Sequence, residues 1–292
     1  MSEPFSYAEF VGRNLGFVSA DEQERLRRAR VFVCGVGGMG GACVQALARA
    51  GVGGFGLADL DVFELSNLNR QVFANLHTVG RDKTAATVEQ LRAINPELEL
   101  ETFGADWLER FDALAARYPV VINGMDDVRA GVALYRKARA HGLTVIDAYT
   151  SPLPSVFAVG PADPRPEERL GYPSVGREPH ALTEAERSAC AAREIEYVLV
   201  HSSSARHLDL EAAKEVLAGR RKRMSFAPMV ITTGNLMAFE AVKLVLDRRP
   251  AADCRGYFFN PWTMRVERPR AAPLAWVGGF VVRRFLARLA GG

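Results

Sequence analysis

Residues 31–61 read VFVCGVGGMGGACVQALARAGVGGFGLADLD. The apolar run at 31–34 predicts a strand, residues 38–50 a helix, and "FGLADL" a second strand ending at Asp59. Between the first strand and the helix, Gly35, Gly37 and Gly40 stand at G-x-G-x-x-G spacing, with Gly38 beside them. Glycine permits a sharp turn and lets the backbone approach a phosphate closely. Free amides at the start of the following helix attract negative charge. Asp59, nineteen residues beyond Gly40, is placed to accept hydrogen bonds from ribose hydroxyls. The stretch is a nucleotide cradle; by itself it serves NAD, FAD or ATP alike.

Outward from this unit, strands of about five residues alternate with helices of about ten to fifteen, which predicts a doubly wound, mostly parallel sheet. Helices are expected over 81–95, 106–117 and 127–141, and strands at "ELELETF", "PVVING" and "LTVIDAY". The apolar runs of "FGLADL" and "PVVING" suit strands buried on both faces. Residues 1–28 read as an N-terminal arm ending in the helix "ADEQERLRRA", with Asp21 as its cap and Glu24 completing a capping box. Residues 29–160 form the nucleotide-binding half. Residues 161–223 form an insert whose proline-rich start, "GPADPRPEERLGYPSVGREPHA", resists long regular elements and reads as a surface excursion. Within it, residues 208–219 read as a helix. Residues 224–270 complete the same domain with the long helix "APMVITTGNLMAFEAVKLVLD" and two short strands, "GYFFN" and "MRVERP". Residues 271–292 form an amphipathic basic tail.

The chain has 292 residues, 48% hydrophobic and 24% charged, enough for one large core with a subdomain. A net charge of +3 is too mild to argue for nucleic acid on its own. Cys34, Cys43, Cys190 and Cys254 form no CxxC pair, so zinc is not expected. Few, unpaired cysteines, no basic-then-apolar leader and no apolar run of eighteen residues predict a cytoplasmic protein.

The next stretch, "DLDVFELSNLNRQVF", crowds Asn67, Asn69, Arg70 and Gln71 just past the second strand, with Asp61 at its start. A triphosphate carries more charge than a dinucleotide pyrophosphate, and its oxygens need side-chain donors or metal. Arg70 can grip phosphate oxygens in bidentate fashion. In "VGRDKTAA", Lys83 falls at the first turn of a helix and supplies a second cation. "VVINGMDDVRAG" places Asp126 and Asp127 at the same sheet edge. Asp127 is read as the helix cap and Asp126 as a ligand for Mg²⁺ carried on the triphosphate.

Together, "GVGGMG", "LADLDVFELSNLNRQ", "VGRDK", "INPELEL", "MDDVRAG" and "APMVITTGNLMAFEAVKLV" resemble the ubiquitin-activating E1-like family of the ThiF, MoeB and HesA type. The match covers roughly residues 10–160 and 225–268. The resemblance implies a Mg-ATP-dependent adenylyltransferase acting on a carboxylate, usually the C-terminal glycine of a ubiquitin-like or sulfur-carrier protein. Carried over by position, Asp59 would hold the ribose, Asn67, Arg70 and Lys83 the phosphates, and Asp126 the magnesium. Arg13, in "FVGRNLG", sits where the family has an arginine that reaches a partner subunit's ATP, which implies a homodimer.

The departures concern substrate choice. The family's D-x-x-D-N reads "NGMDD", with Asn123 and Asp127 substituted. The two CxxC pairs many members use for structural zinc are absent. Cys190, in "ERSACAARE", is the one candidate for a thioester, with Arg187 and Arg193 available to favour its thiolate; the plainer reading is an ordinary helix cysteine. His180, His201 and His207 lack metal-ligand spacing and read as loop or surface residues. Three carboxylates stand as substrates: a carrier-protein tail, a peptide or small acid, and a modified nucleoside in tRNA, as in the family branch that cyclises threonylcarbamoyladenosine. The "GRRKR" run and Arg283, Arg284 and Arg288 suit tRNA or an anionic membrane surface, or simply a solvated face. The chain's own C-terminal Gly-Gly resembles the family's protein substrates. Outside the family reading stand an NAD- or FAD-dependent oxidoreductase and a catalytically silent dimeric scaffold.

Overall fold

The computed structural model describes residues 4–217 and 220–290. The arm forms α1 (Tyr7–Val11), a 3-10 turn over Gly12–Asn14 and α2 (Ala20–Arg28). The α2 cap is Ser19, not Asp21. Its hydroxyl accepts from the Glu22 amide and the Glu22 carboxylate accepts from the Ser19 amide. Ser19 is the last extended residue, so Asp21 already lies inside the first turn.

The alternation follows as expected through β1 (Arg30–Cys34), α3 (Gly38–Arg49), β2 (Gly54–Ala58), α4 (Lys83–Ile94) and β3 (Glu99–Phe103). The helix expected at 106–117 is two pieces, a 3-10 turn at Ala105–Trp107 and α5 (Phe111–Ala115). Trp107 and Phe111 nevertheless both pack on Phe32. Then come β4 (Val120–Asn123), α6 (Val128–Ala140) and β5 (Val145–Asp147).

The second half holds more regular structure than its prolines suggest. β6 (Ser155–Val159) is wholly buried. α7 (Pro166–Leu170) begins on a proline, where no amide is needed, and ends at Gly171 with φ 65°. The 18-residue α8 (Glu184–His201) has a Thr183–Glu186 capping box. The remaining elements are α9 (Leu210–Leu217), α10 (Ala227–Val245), β7 (Tyr257–Asn260), β8 (Arg265–Glu267) and α11 (Ala272–Ala290). The helix expected at 208–219 is α9, described over Leu210–Leu217; residues 218 and 219 and the terminal Gly-Gly lie outside the described residues.

One sheet has the order β3-β2-β1-β4-β5-β6-β7-β8. β3 through β5 in that order are parallel, and β6, β7 and β8 add an antiparallel extension. Along β1 the side chains alternate between two cores. Val31 and Val33 meet Val44, Leu47 and Met237 on one face. Phe32 and Cys34 meet Trp107, Phe111 and Leu134 on the other. That two-sided burial is why the strand has no polar phase. Cys34 and Cys43 are fully buried packing residues. α10 crosses α3 closely at Gly234, where a Cβ would stand 2.6 Å from that of Ala42.

Candidate active site

Successive strands leave β1 in opposite directions, so the crevice between the carboxyl ends of β1 and β4 is the sheet's switch point, the usual ligand site of such folds. The β1–α3 turn fills it. Gly35 has φ +84°, and Gly40 lies so close beneath it that a Cβ there would stand 1.9 Å from the Gly35 carbonyl oxygen. Gly37 is the N-cap of α3 and offers no side-chain hydrogen bond, so the first-turn amides remain available to an anion. Gly37 and Gly38 line a cavity of about 810 Å³, together with Asp59, Asp61, Arg70, Gln71, Lys83, Asp126 and Asp127.

Asp59 directly follows β2, with both carboxylate oxygens engaged: Oδ2 accepts from the Val36 amide at 2.9 Å and Oδ1 from the Asp61 amide at 3.0 Å. The side chain thus locks the turn to the strand. Burial is the largest influence on its carboxyl and raises it, against the amides and Lys83. Lys83 opens α4, which Asp82 caps. Its side chain is buried, with Nζ 2.7 Å from Asp61 and 3.9 Å from Asp59.

Arg70 projects from the loop after β2. Its Nη1 donates to the Ser66 carbonyl and to Asn69 Oδ1. Burial first, and then the facing cation Arg223, lower its affinity for its proton. Arg223 also donates to Thr150 Oγ1 at 3.0 Å and stands 3.4 Å from Asp126. Two guanidiniums sharing one space favour an anion between them. Arg223 ends the "GRRKR" run, which sequence reasoning assigned to nucleic acid, membrane or solvent. Its signal is visible only once residues distant in sequence are brought to one sheet edge.

Asn67 does not line the cavity. It is buried beneath the loop, with Oδ1 accepting from the Glu64 amide and its carbonyl accepting from the Arg70 and Gln71 amides. These bonds fix the loop that presents Arg70 to the cavity. Gln71 Oε1 is buried with no hydrogen-bond partner among the described residues. Asp127 caps α6, accepting from the Ala130 amide at 2.8 Å, as the sequence implies. Asp126 is left exposed to the cavity. Among the described residues no group of three or more His, Cys, Asp or Glu could hold a metal ion by itself. The donor set suits an ion that takes one carboxylate here and its other ligands from phosphate and water, as magnesium does.

Arg13 stands exposed on the arm and does not line the cavity of its own chain. Cys190 is buried in α8, and burial followed by Glu194 pushes its thiol up. Arg187 and Arg193 pair with Glu184 and Glu196 instead. These are the surroundings of a packing residue, because burial and Glu194 outweigh the backbone hydrogen bonds that would favour a thiolate. His207, expected in a loop or on the surface, ends a 3-10 turn and lines the cavity, 3.1 Å from Asn260.

A second cavity of about 240 Å³ shares Asp126, Thr150 and Arg223 with the first and is lined by Asp147 and Glu194. Tyr172 donates to Glu194 Oε1 at 2.5 Å. Burial, with Asp147 adding to it, lifts the Glu194 carboxyl from its ordinary 4.5 to about 7. Between those two pH values the folded chain keeps this proton and the unfolded chain has lost it, so stability falls as pH rises through the window. Glu194→Gln is expected to flatten that slope and to stabilise the protein at pH 8, by on the order of 3 kcal/mol at most. Thermal unfolding from pH 5 to 8 measures it, and a slope identical to wild type would refute the assignment.

The profile of the ThiF family matches residues 11–275. The chain belongs to the ThiF family. The match runs through the insert as well as the cradle. A tRNA threonylcarbamoyladenosine dehydratase of Haemophilus influenzae is 35% identical over 129 residues, 43% of this chain and 49% of that protein. A molybdopterin-synthase adenylyltransferase of Escherichia coli K12 is 40% identical over 110 residues, 37% of this chain and 44% of that protein. This ThiF-family chain therefore spans at most about half the length of these curated relatives. In solved structures the fold recurs in Escherichia coli MccB bound to succinimide, with TM-score 0.64 and 17% identity over 92% of this chain and 73% of that one. It recurs also in PaaA, with TM-score 0.60 and 21% identity over 92% and 76%. No described helix is long and apolar enough to cross a membrane.

Proposed function

We propose that the protein is a Mg-ATP-dependent adenylyltransferase that activates a carboxylate as an acyl-adenylate. The observation that carries this reading is the meeting of Arg70, Arg223 and Lys83 with an uncapped helix N-terminus in one cavity. That is more positive charge than a dinucleotide pyrophosphate requires, and it suits a triphosphate. Asp59 is the residue for the ribose, Gly35, Gly37, Gly38 and Gly40 form the cradle, and Gln71 stands in the same lining with its buried Oε1 unpaired among the described residues. Asp126 would hold the magnesium, which supplies positive charge on the phosphates.

The acceptor carboxylate is already ionised at neutral pH, so the step needs no strong base. One carboxylate oxygen attacks the α-phosphorus, the bond to the bridging oxygen breaks, and pyrophosphate departs with both its electrons. The obstacle is repulsion between anions. Arg70, Arg223 and Lys83 screen it and receive the leaving charge.

A homodimer with Arg13 completing the partner's site accords with the exposed arm, where Phe17 is 90% exposed beside Leu15. A ubiquitin-like or sulfur-carrier tail is the acceptor the family suggests. A tRNA-borne carboxylate is a second reading, favoured by the dehydratase among the relatives. The deciding experiment measures ATP and NAD binding with magnesium, together with pyrophosphate release across candidate acceptors. ATP binding with acceptor-dependent release is expected. Tight NAD binding without ATP binding would overturn the proposal.

A further inference from the structure

The 810 Å³ cavity does not end at the nucleotide cradle. Past Thr150 and Arg223 it continues between α8, α9, α10 and α11. Its walls there include Val198 and Leu199 from α8, Val216 from α9, Met224, Met229 from α10, and Leu286 from α11. α11 packs against both α8 and α9 and so covers this end. His207 and Asp209 are polar members of the same lining, and His207 is engaged by Asn260. The whole volume lies in the upper part of the roughly 300–1,000 Å³ range of small-molecule sites. It is amphiphilic, with cations at the sheet edge and aliphatic side chains at the far end.

Resting on the adenylyltransferase reading, we infer that the acceptor is a carboxylate carried on an apolar body, an aliphatic or aromatic acid, seated in this compartment. Its carboxylate faces Arg223 and Arg70, where both cations favour it. Its body displaces water from Leu199, Val216 and Met229, which are only partly buried, and that is favourable in proportion to the apolar area covered. A Gly-Gly tail has no side chain to cover those walls and would leave them wet. The insert, with α8 and α9, thus supplies the substrate compartment, while the chemistry of nucleotide binding stays at the sheet edge.

The test uses the full chain and reads nucleotide and acid separately. A fluorescent ATP analogue reports the cradle. Displacement of dansyl-undecanoate by octanoate, decanoate, dodecanoate and 3-phenylpropanoate reports the compartment, with a synthetic Gly-Gly-ended peptide as comparison. Saturable binding of the apolar acids is expected. Ala213→Trp, on the α9 wall, should weaken it at least tenfold with nucleotide binding unchanged. Leu286→Glu, on α11, gives the same test should the first variant misfold. No saturable acid binding, binding indifferent to both substitutions, or pyrophosphate release driven by the Gly-Gly peptide and by no apolar acid would each overturn the inference and leave the nucleotide reading standing. Failure of the wild-type chain to bind the ATP analogue would strike the adenylyltransferase reading instead, and the acid displacement would still decide the compartment.

Discussion

Lys83→Met is expected to lower acceptor-dependent ATP–pyrophosphate exchange by about 30- to 1,000-fold, the equivalent of roughly 2–4 kcal/mol for one preorganised charge. The side chain is buried at the start of α4, close to two carboxylates. It is therefore already held where charge will develop and needs little reorganisation when the phosphates arrive. Its removal also leaves Asp59 buried without a neighbouring cation. The carboxyl that burial already raises should then rise further, and stability should decline more steeply as pH climbs through that value. Asp61→Asn is the companion variant: Asp61 is largely exposed, so its loss frees Lys83 at little cost in stability. Exchange kinetics and thermal unfolding on the two variants separate the effects. Wild-type exchange in a folded Lys83→Met protein would remove Lys83 from the proposed chemistry.

Gly40→Ala should destabilise the protein by about 3 kcal/mol or more, because a single methyl group is forced onto backbone that has no room to yield. The added Cβ would lie 1.9 Å from the Gly35 carbonyl oxygen, and the Gly124 Cα is 3.5 Å away. Relief requires α3 to move off β1, which also withdraws its amides from the phosphates. A fall in Tm of about 6–12 °C follows for a chain of this size, with ATP affinity lost alongside. Gly12→Ala is the control. No atom lies within 4 Å of a Cβ there, and its backbone is right-handed helical, so the change should stay within about 0.5 kcal/mol. Equal Tm values for the two variants would show that the turn is looser than its geometry implies.

The first half of the fold is legible in the sequence because its signals are local. β1, β2 and β4 are short apolar runs, the helices between them have the length to cross over the sheet, and glycines mark the turn. The second half is less so. The proline-rich segment 160–181 reads as a surface excursion without long regular elements, and the five-residue α7 forms within it. Proline forbids an interior helical or ladder amide but suits the first turn of a helix, where Pro166 sits. β6 is recognisable only by its partners β5 and β7, which lie on either side of it in the sheet and, in the case of β7, about a hundred residues away in the chain.

Side chains divide in the same way. Asp59, Asp126 and the glycines could be named from residue type and spacing, since each falls within a few residues of a strand's carboxyl end and parallel strands share that edge; Arg70 and Lys83 lie farther along the chain and stand out through the "SNLNRQ" and "VGRDK" stretches. The sequence alone thus determines a nucleotide cradle and the family of its fold. Only tertiary structure turns Asn67 under the loop, buries Cys190 away from any cation, carries Arg223 from a basic run to Asp126, and sets α8, α9 and α11 around one apolar compartment. Each of these depends on which surfaces meet across long stretches of chain. Burial, the facing of two charges and the closing of a cavity are properties of that meeting, and no local pattern encodes them.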